Sequence, residues 1–136
     1  MRLLPALFLF SVSTGTPGAQ IVSAGSTHQK VIALTFDAGS DRGYAQSILH
    51  TLEKYRIRAT FGMTGLWAKT NPDMVRRMAK DRDTFMNHTY DHRSFTGFSS
   101  QAAPLTTVQR TWEMQQADRE IRRLTGHSTK PFFRPP

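Results

Sequence analysis

The sequence predicts an α/β fold in which short parallel strands are joined by helical crossovers. Two observations carry this. Apolar, β-branched runs alternate strictly with segments of helical periodicity, and strict alternation implies parallel strands. Two of the strand-like runs also end by delivering an ionisable side chain to a loop, the place where α/β sheets keep their chemistry. The first run, Val31-Ile-Ala-Leu-Thr-Phe-Asp37, reads as a buried strand that hands Asp37 to the turn Ala38-Gly39-Ser40-Asp41. Burying a carboxylate without partners is costly. Asp37 is therefore either a cap for the next helix or a working residue.

After that strand, Tyr44, Ala45, Ile48, Leu49, Leu52 and Tyr55 recur at three- and four-residue spacing and predict one amphipathic helix. Arg58-Ala-Thr-Phe-Gly-Met63 is the second strand, closed by Thr64-Gly65. Asn71-Pro72-Asp73 starts a helix with an N-cap residue, a proline at the first helical position and an acid in the positive first turn; it runs to about Lys80. Asp83-Thr-Phe-Met-Asn87 is the third strand, and it delivers His88 to a loop. Beyond a connection from Gly97 to Pro104, Thr106 and Gln109 form a capping box. The long helix that follows has Val108, Trp112, Ala117, Ile121 and Leu124 on its inner face and ends at Gly126. Pro131-Phe-Phe133 begins a fourth strand with Arg134 at its tip. About four strand–helix units fill only part of a closed barrel, which takes about 250 residues.

Composition narrows the chemistry. The chain has no cysteine, so it holds no disulfide, thiolate metal site or thiol nucleophile, and a metal would have to be bound by His and carboxylate. Eighteen Lys and Arg against ten Asp and Glu give a net charge of +8 and favour anionic polymers. The basic residues are scattered along helices without the aromatic interleaving of a nucleic-acid platform, so no nucleic-acid partner is expected. Met1-Arg2 followed by the apolar run Leu3 to Val12 reads as a short secretory signal peptide ending near Ala19 or Ala24. Residues 1–24 are accordingly set apart from a domain at 25–136. The run is too short for a transmembrane helix, and export to the cell envelope or medium is the expectation, with a loose N-terminal segment of a cytoplasmic protein as the alternative.

Asn87-His88-Thr89-Tyr90-Asp91-His92 places two imidazoles four residues apart, a spacing that on one turn of helix brings both onto one ion. The competing reading is two exposed histidines in a polar loop. Thr89 follows His88 where a zinc-protease helix would have Glu, which excludes that pattern. A third ligand must come from elsewhere, and the Asp37 loop follows another strand of the same sheet.

Thr35-Phe36-Asp37-Ala38-Gly39, then Asn87 to His92, then Phe133-Arg134-Pro135-Pro136 resemble, in order and spacing, the first three motifs of the polysaccharide deacetylases, the carbohydrate esterases of family four. Ala59-Thr60-Phe61 and the helix opened by Asn71-Pro72 are also similar. The resemblance covers about Lys30 to Pro136. It implies a distorted (β/α) barrel, present here as its N-terminal, incomplete part, and metal-assisted removal of N-acetyl groups from an acetylglucosamine polymer such as peptidoglycan or chitin. By position it implies Asp37 as general base, Arg134 as the residue that pairs with and orients it, and His88 and His92 as ligands of a divalent ion, zinc by preference. The family usually has a second acid where this chain has Ala38; Asp41, on the same loop, is the candidate substitute ligand, or water fills the gap and Asp41 is part of the next helix's first turn. The family's later Leu-His motif, which supplies a general acid, does not occur before Pro136. The expectation is thus a partial deacetylase domain, unstable and inactive by itself. The alternatives are a non-catalytic glycan-binding remnant and a basic module for anionic polymers.

Overall fold

Three parallel strands and the helices between them build the chain outward from a shared row of phenylalanines. The computed structural model describes residues 18, 20–22, 24–25, 28, 30 and 32–136, and the chain divides into a unit Met1–Val31 and a unit Ile32–Pro136. The signal-peptide-like run and the expected strand start at Val31 lie outside the described residues. Within the second unit the elements are β1 (Thr35–Ala38), α1 (Ala45–Tyr55), β2 (Thr60–Met63), α2 (Gly65–Thr70), α3 (Pro72–Lys80), β3 (Thr84–Asn87) and α4 (Thr107–Thr125). The sheet order is β1-β2-β3, parallel throughout. Phe133 continues it through a single parallel bridge to Asn87. The expected fourth strand is present as that bridge.

Register explains the two faces of the sheet. Phe36, Phe61 and Phe85 stand opposite one another across the three strands, and Phe61 and Phe85 are buried against the helices with Leu49, Trp67, Val75, Met78 and Ile121. Alternation of side chains along a strand then sends Thr35, Asp37, Thr60, Gly62 and Thr84 to the opposite face. Asp37 pairs in register with Gly62, and Gly62 with Met86. The functional side chains therefore sit on the face away from the phenylalanine core.

Capping follows local chemistry. Thr106 Oγ1 accepts the Gln109 amide at 3.2 Å and Gln109 Oε1 accepts the Thr106 amide at 2.9 Å, completing the capping box of α4. Gly126 closes α4 with φ 77°. Thr64 does more than end β2: its Oγ1 accepts the Trp67 amide and N-caps α2, a helix too short, at six residues, to show a periodicity in the sequence. Asn71 precedes α3 as expected, yet its side chain donates back to Trp67 O at 3.0 Å and so ties the two helices together.

Four apolar positions depart from the predicted faces. Tyr44 and Tyr55 are exposed at the two ends of α1, where Leu49 and Leu52 are the buried pair. Val108 and Trp112 are exposed on α4. The buried stripe of α4 is Glu113, Ala117, Ile121 and Leu124. Four-residue steps back from Ile121 reach Ala117 and then Glu113, and packing against α2 and α3 follows that geometry even where it buries an acid.

Candidate active site

The surroundings of the base-like carboxylate come from three strands and the segment after the Phe133 bridge. Arg134 Nη1 donates to Asp37 Oδ1 at 2.6 Å, and Nη2 donates to Thr35 Oγ1 at 3.1 Å, so the guanidinium lies along the polar end of β1. Both partners are partly exposed, 36% for the Arg134 side chain and 42% for Asp37. At that exposure the pair contributes little to stability, on the order of 0–1 kcal/mol; what it fixes is direction. Gly62 makes the space. A Cβ on this residue would stand 2.6 Å from Asp37 Oδ1 and 3.0 Å from Met86 Cε, so only glycine lets the carboxylate lie over β2.

His88 and His92 meet beside this loop, although not on a helix. Thr89 has φ 67° and His92 φ 64°, so the segment is an irregular turn, and helical spacing leads to the right neighbours by the wrong backbone. The rings lie 4.6 Å apart between centroids at an interplanar angle of 75°. Gly39 brings the β1 loop against them: a Cβ there would stand 3.9 Å from His92 Cδ2. His88 is buried and His92 is exposed. His88 Nδ1 is 3.0 Å from the carbonyl oxygen of Arg134. A carbonyl can only accept, so Nδ1 carries the hydrogen and Nε2 is the ring's available lone pair, the usual arrangement around a metal-binding imidazole. Arg134 thus holds Asp37 with its side chain and His88 with its backbone.

The turn is held by hydrogen bonds to every side. Thr89 N donates to Asn87 Oδ1, and His92 N donates to Thr89 Oγ1. Tyr90 N and Asp91 N both donate to Glu113 Oε2, at 2.9 and 3.1 Å. From α2, Gly65 N donates to Thr89 O and Leu66 N to Tyr90 O. Gly65 is required for that approach, since a Cβ would stand 2.5 Å from Tyr90 Cδ2 and 2.9 Å from the Ala117 Cα. Glu113 is a site residue that sequence reasoning does not find; the signal available is the four-residue stripe running back from Ile121. Burial pushes its carboxyl above the ordinary value, with the two amide bonds opposing and the neighbouring Asp91 carboxyl adding to the rise.

Asp41 lies apart from this cluster in its contacts. Its carbonyl accepts Trp67 Nε1 at 2.8 Å, and its exposed carboxylate lies over Gly43, 3.1 Å from where a Cβ would stand. Among the described residues no three His, Cys, Asp or Glu side chains converge as a ligand set. The two imidazoles, with His88 Nε2 turned free of its backbone partner, fit a divalent ion as two of its ligands.

Comparison with known proteins settles the family. The polysaccharide deacetylase family model matches residues 24–136. This chain belongs to that family. It is 32% identical over 112 residues to the peptidoglycan-N-acetylmuramic acid deacetylase PdaA of Bacillus subtilis, covering 82% of this chain and 40% of the relative. It is 32% identical over 130 residues to a chitin deacetylase of Colletotrichum lindemuthianum, covering 92% and 47%. Among solved structures, a family 4 carbohydrate esterase from Bacillus anthracis superposes with TM-score 0.73 at 33% identity, over 82% of this chain and 51% of that one. The chain therefore spans about 40% of the length of the first curated relatives it matches, and the parallel sheet with its crossover helices corresponds to part of the deacetylase (β/α) barrel.

Gly62→Ala is expected to swing the Asp37 carboxylate off Arg134 while the phenylalanine core stays in place. A crystal structure of the variant in which the Asp37–Arg134 pair is unchanged would contradict the role given to Gly62.

Proposed function

We propose that this chain carries the base and metal-binding part of an N-deacetylase site acting on an acetylglucosamine-containing glycan of the peptidoglycan or chitin kind. The observation that supports it most is the single residue Arg134 holding both Asp37 and His88, with the Asp37 loop against His92. Asp37 is the general base. Hydrolysis adds water to the acetamide carbonyl carbon, with the water's proton passing to the Asp37 carboxylate; that proton is then delivered to the departing nitrogen as the C–N bond breaks, giving acetate and the glycan amine. Arg134 and Thr35 keep the carboxylate aimed, and Gly62 leaves it room. His88 and His92 would hold a divalent ion, zinc by preference; with Ala38 in place of an acid, Asp41 becomes the third ligand only if its exposed carboxylate turns away from Gly43, and solvent fills the position otherwise. Such an ion supplies Lewis-acid polarisation of the carbonyl and brings the pKa of water down to roughly 7.

Ala38 favours one second reading, a glycan-binding deacetylase relative without catalysis. It separates from the first by binding acetylated oligomers without releasing acetate. A basic module for anionic polymers would instead lose affinity steeply with salt.

Metal binding distinguishes the ligand assignments. Zinc titration calorimetry of the full chain should show His88→Ala and His92→Ala each nearly abolishing binding, and Ala38→Asp tightening it. If Asp41 is a ligand, Asp41→Ala weakens binding by about tenfold, or roughly 1.4 kcal/mol; affinity equal to the parent in Asp41→Ala removes it from the set, and undiminished affinity in both histidine variants refutes the metal site.

We further propose that the Leu3–Val12 run directs export. No helix among the described residues is long and apolar enough to cross a membrane. Intact mass of protein recovered from a secreting host should show cleavage near Ala19 or Ala24, and uncleaved protein confined to the cytoplasm would count against export.

A further inference from the structure

We infer that Glu113 of α4 is a positioning residue for the histidine pair, acting through the backbone of the turn between them. This rests on the metal-binding reading of His88 and His92. The turn from His88 to His92 contains two left-handed non-glycine residues, at Thr89 and His92, so nothing in its own backbone preference holds it. Its shape is imposed by partners. Two consecutive amides at its apex, Tyr90 and Asp91, share one acceptor, Glu113 Oε2, which comes from a helix 22 and 23 residues further along the chain. Without that oxygen both part-buried amides would lose the one protein acceptor they share.

The state of the acid suits this task. Glu113 is fully buried; no donor reaches its second oxygen, Oε1, and the Asp91 carboxyl lies within hydrogen-bonding reach of its side chain. A carboxylate retained for charge would be expected to have a cation beside it, yet the ionisable neighbour here is Asp91, another acid. The geometry assigns Glu113 an acceptor role, with Oε2 at 2.9 and 3.1 Å from the two amides. What the turn requires of Glu113 is therefore one acceptor oxygen at a fixed reach. A glutamine at this position would provide the same oxygen; a leucine would fill the same space without it; an aspartate would carry the oxygen one methylene short of the amides. Residues that orient metal ligands from behind typically change affinity by about ten- to a hundredfold when removed.

The test is zinc affinity of the full chain, read with the cobalt-substituted absorption spectrum as a report on ligand geometry, for Glu113→Gln, Glu113→Leu and Glu113→Asp. Glu113→Gln should keep affinity within about twofold and an unchanged cobalt spectrum. Glu113→Leu should lose about tenfold or more with an altered spectrum; if that variant does not fold, Glu113→Asp decides, with the same loss expected. Thr106→Ala is the control for general damage to α4, because Thr106 caps the N-terminus of the helix by accepting the Gln109 amide; it should lower thermal stability with zinc affinity unmoved. Histidine variants that lose zinc while Glu113→Leu and Glu113→Asp bind as the parent does would overturn this inference alone. Histidine variants that bind as the parent does would overturn the metal reading beneath it. Loss in Glu113→Gln equal to that in Glu113→Leu would also overturn it, by showing that charge and not the acceptor oxygen is what matters.

Discussion

Asn87 is the residue on which the rest of the structure turns. It ends β3, and every hydrogen-bonding group it has is used by a different part of the chain. Its backbone N–H donates to Phe132 O and its carbonyl accepts from Arg134 N, which attaches the next strand position. Its side-chain Nδ2 donates to Met114 O on α4 at 2.8 Å and to Thr129 Oγ1 at 3.3 Å, while Oδ1 accepts the Thr89 amide. A buried amide satisfied on all sides is stabilising and directional; losing one of its partners leaves a desolvated group unpaired, at about 1–3 kcal/mol each. The histidine turn, the arginine and the long helix are thus fixed to one another through one residue, the turn and helix by its side chain and the arginine by its backbone. Asp118 supports the same junction from the other side of Thr129. Burial pushes its carboxyl up, but three bonds from Thr129 and Ser128 more than offset this and leave it below the ordinary value.

From that junction the functional geometry follows in short steps. The Asn87–Phe133 bridge sets where Arg134 leaves the sheet. Arg134 then reaches across β3 and β2 to β1, where its guanidinium meets Asp37 and Thr35, and its own carbonyl fixes the tautomer of His88. Asp37 can meet the guanidinium there because its neighbour on β2 is Gly62, which leaves room for the carboxylate. One consequence is that Asp37 and the first imidazole cannot be displaced independently: a shift of the 132–134 segment moves both. The sheet's other face, with Phe36 stacked on Phe61 at 5.5 Å between centroids, anchors the strands against the helices and leaves the polar face free for chemistry.

Much of this is legible in the sequence, for reasons that can be named. Order and type of the strands, α1, α3 and α4 follow from periodicity and caps, because Asn71-Pro72, the Thr106–Gln109 box and Gly126 are local signals that packing has no cause to override. The three motifs place His88, His92 and Arg134 beyond strand ends, where the structure puts them, whereas Asp37, expected in the loop after β1, lies within the strand itself. Contacts between side chains are harder to read. The turn at 88–92 looks helical because spacing is blind to φ, and its conformation is dictated by Asn87, Glu113 and the start of α2, where the last two are non-local. Val108 and Trp112 look like core because they are large and apolar, whereas Glu113 looks like surface because it is charged; the helix phase, fixed by Ile121 and Leu124, decides otherwise. For Asp41 the sequence offers proximity in the chain only, and the structure gives its carbonyl to Trp67 and its carboxylate to solvent.

Arg134 holds His88 through Nδ1 so that Nε2 is presented beside His92, and on this the whole site depends. Long-range ¹H–¹⁵N correlation spectra of the ¹⁵N-labelled chain at alkaline pH test it directly, because they distinguish the two ring nitrogens and report which carries hydrogen. The expected result is His88 with hydrogen on Nδ1 and a bare Nε2, and on adding one equivalent of zinc a shift of the His88 Nε2 resonance together with one nitrogen of His92. Hydrogen on Nε2 of His88, or zinc-induced shifts at one ring without the other, would contradict it.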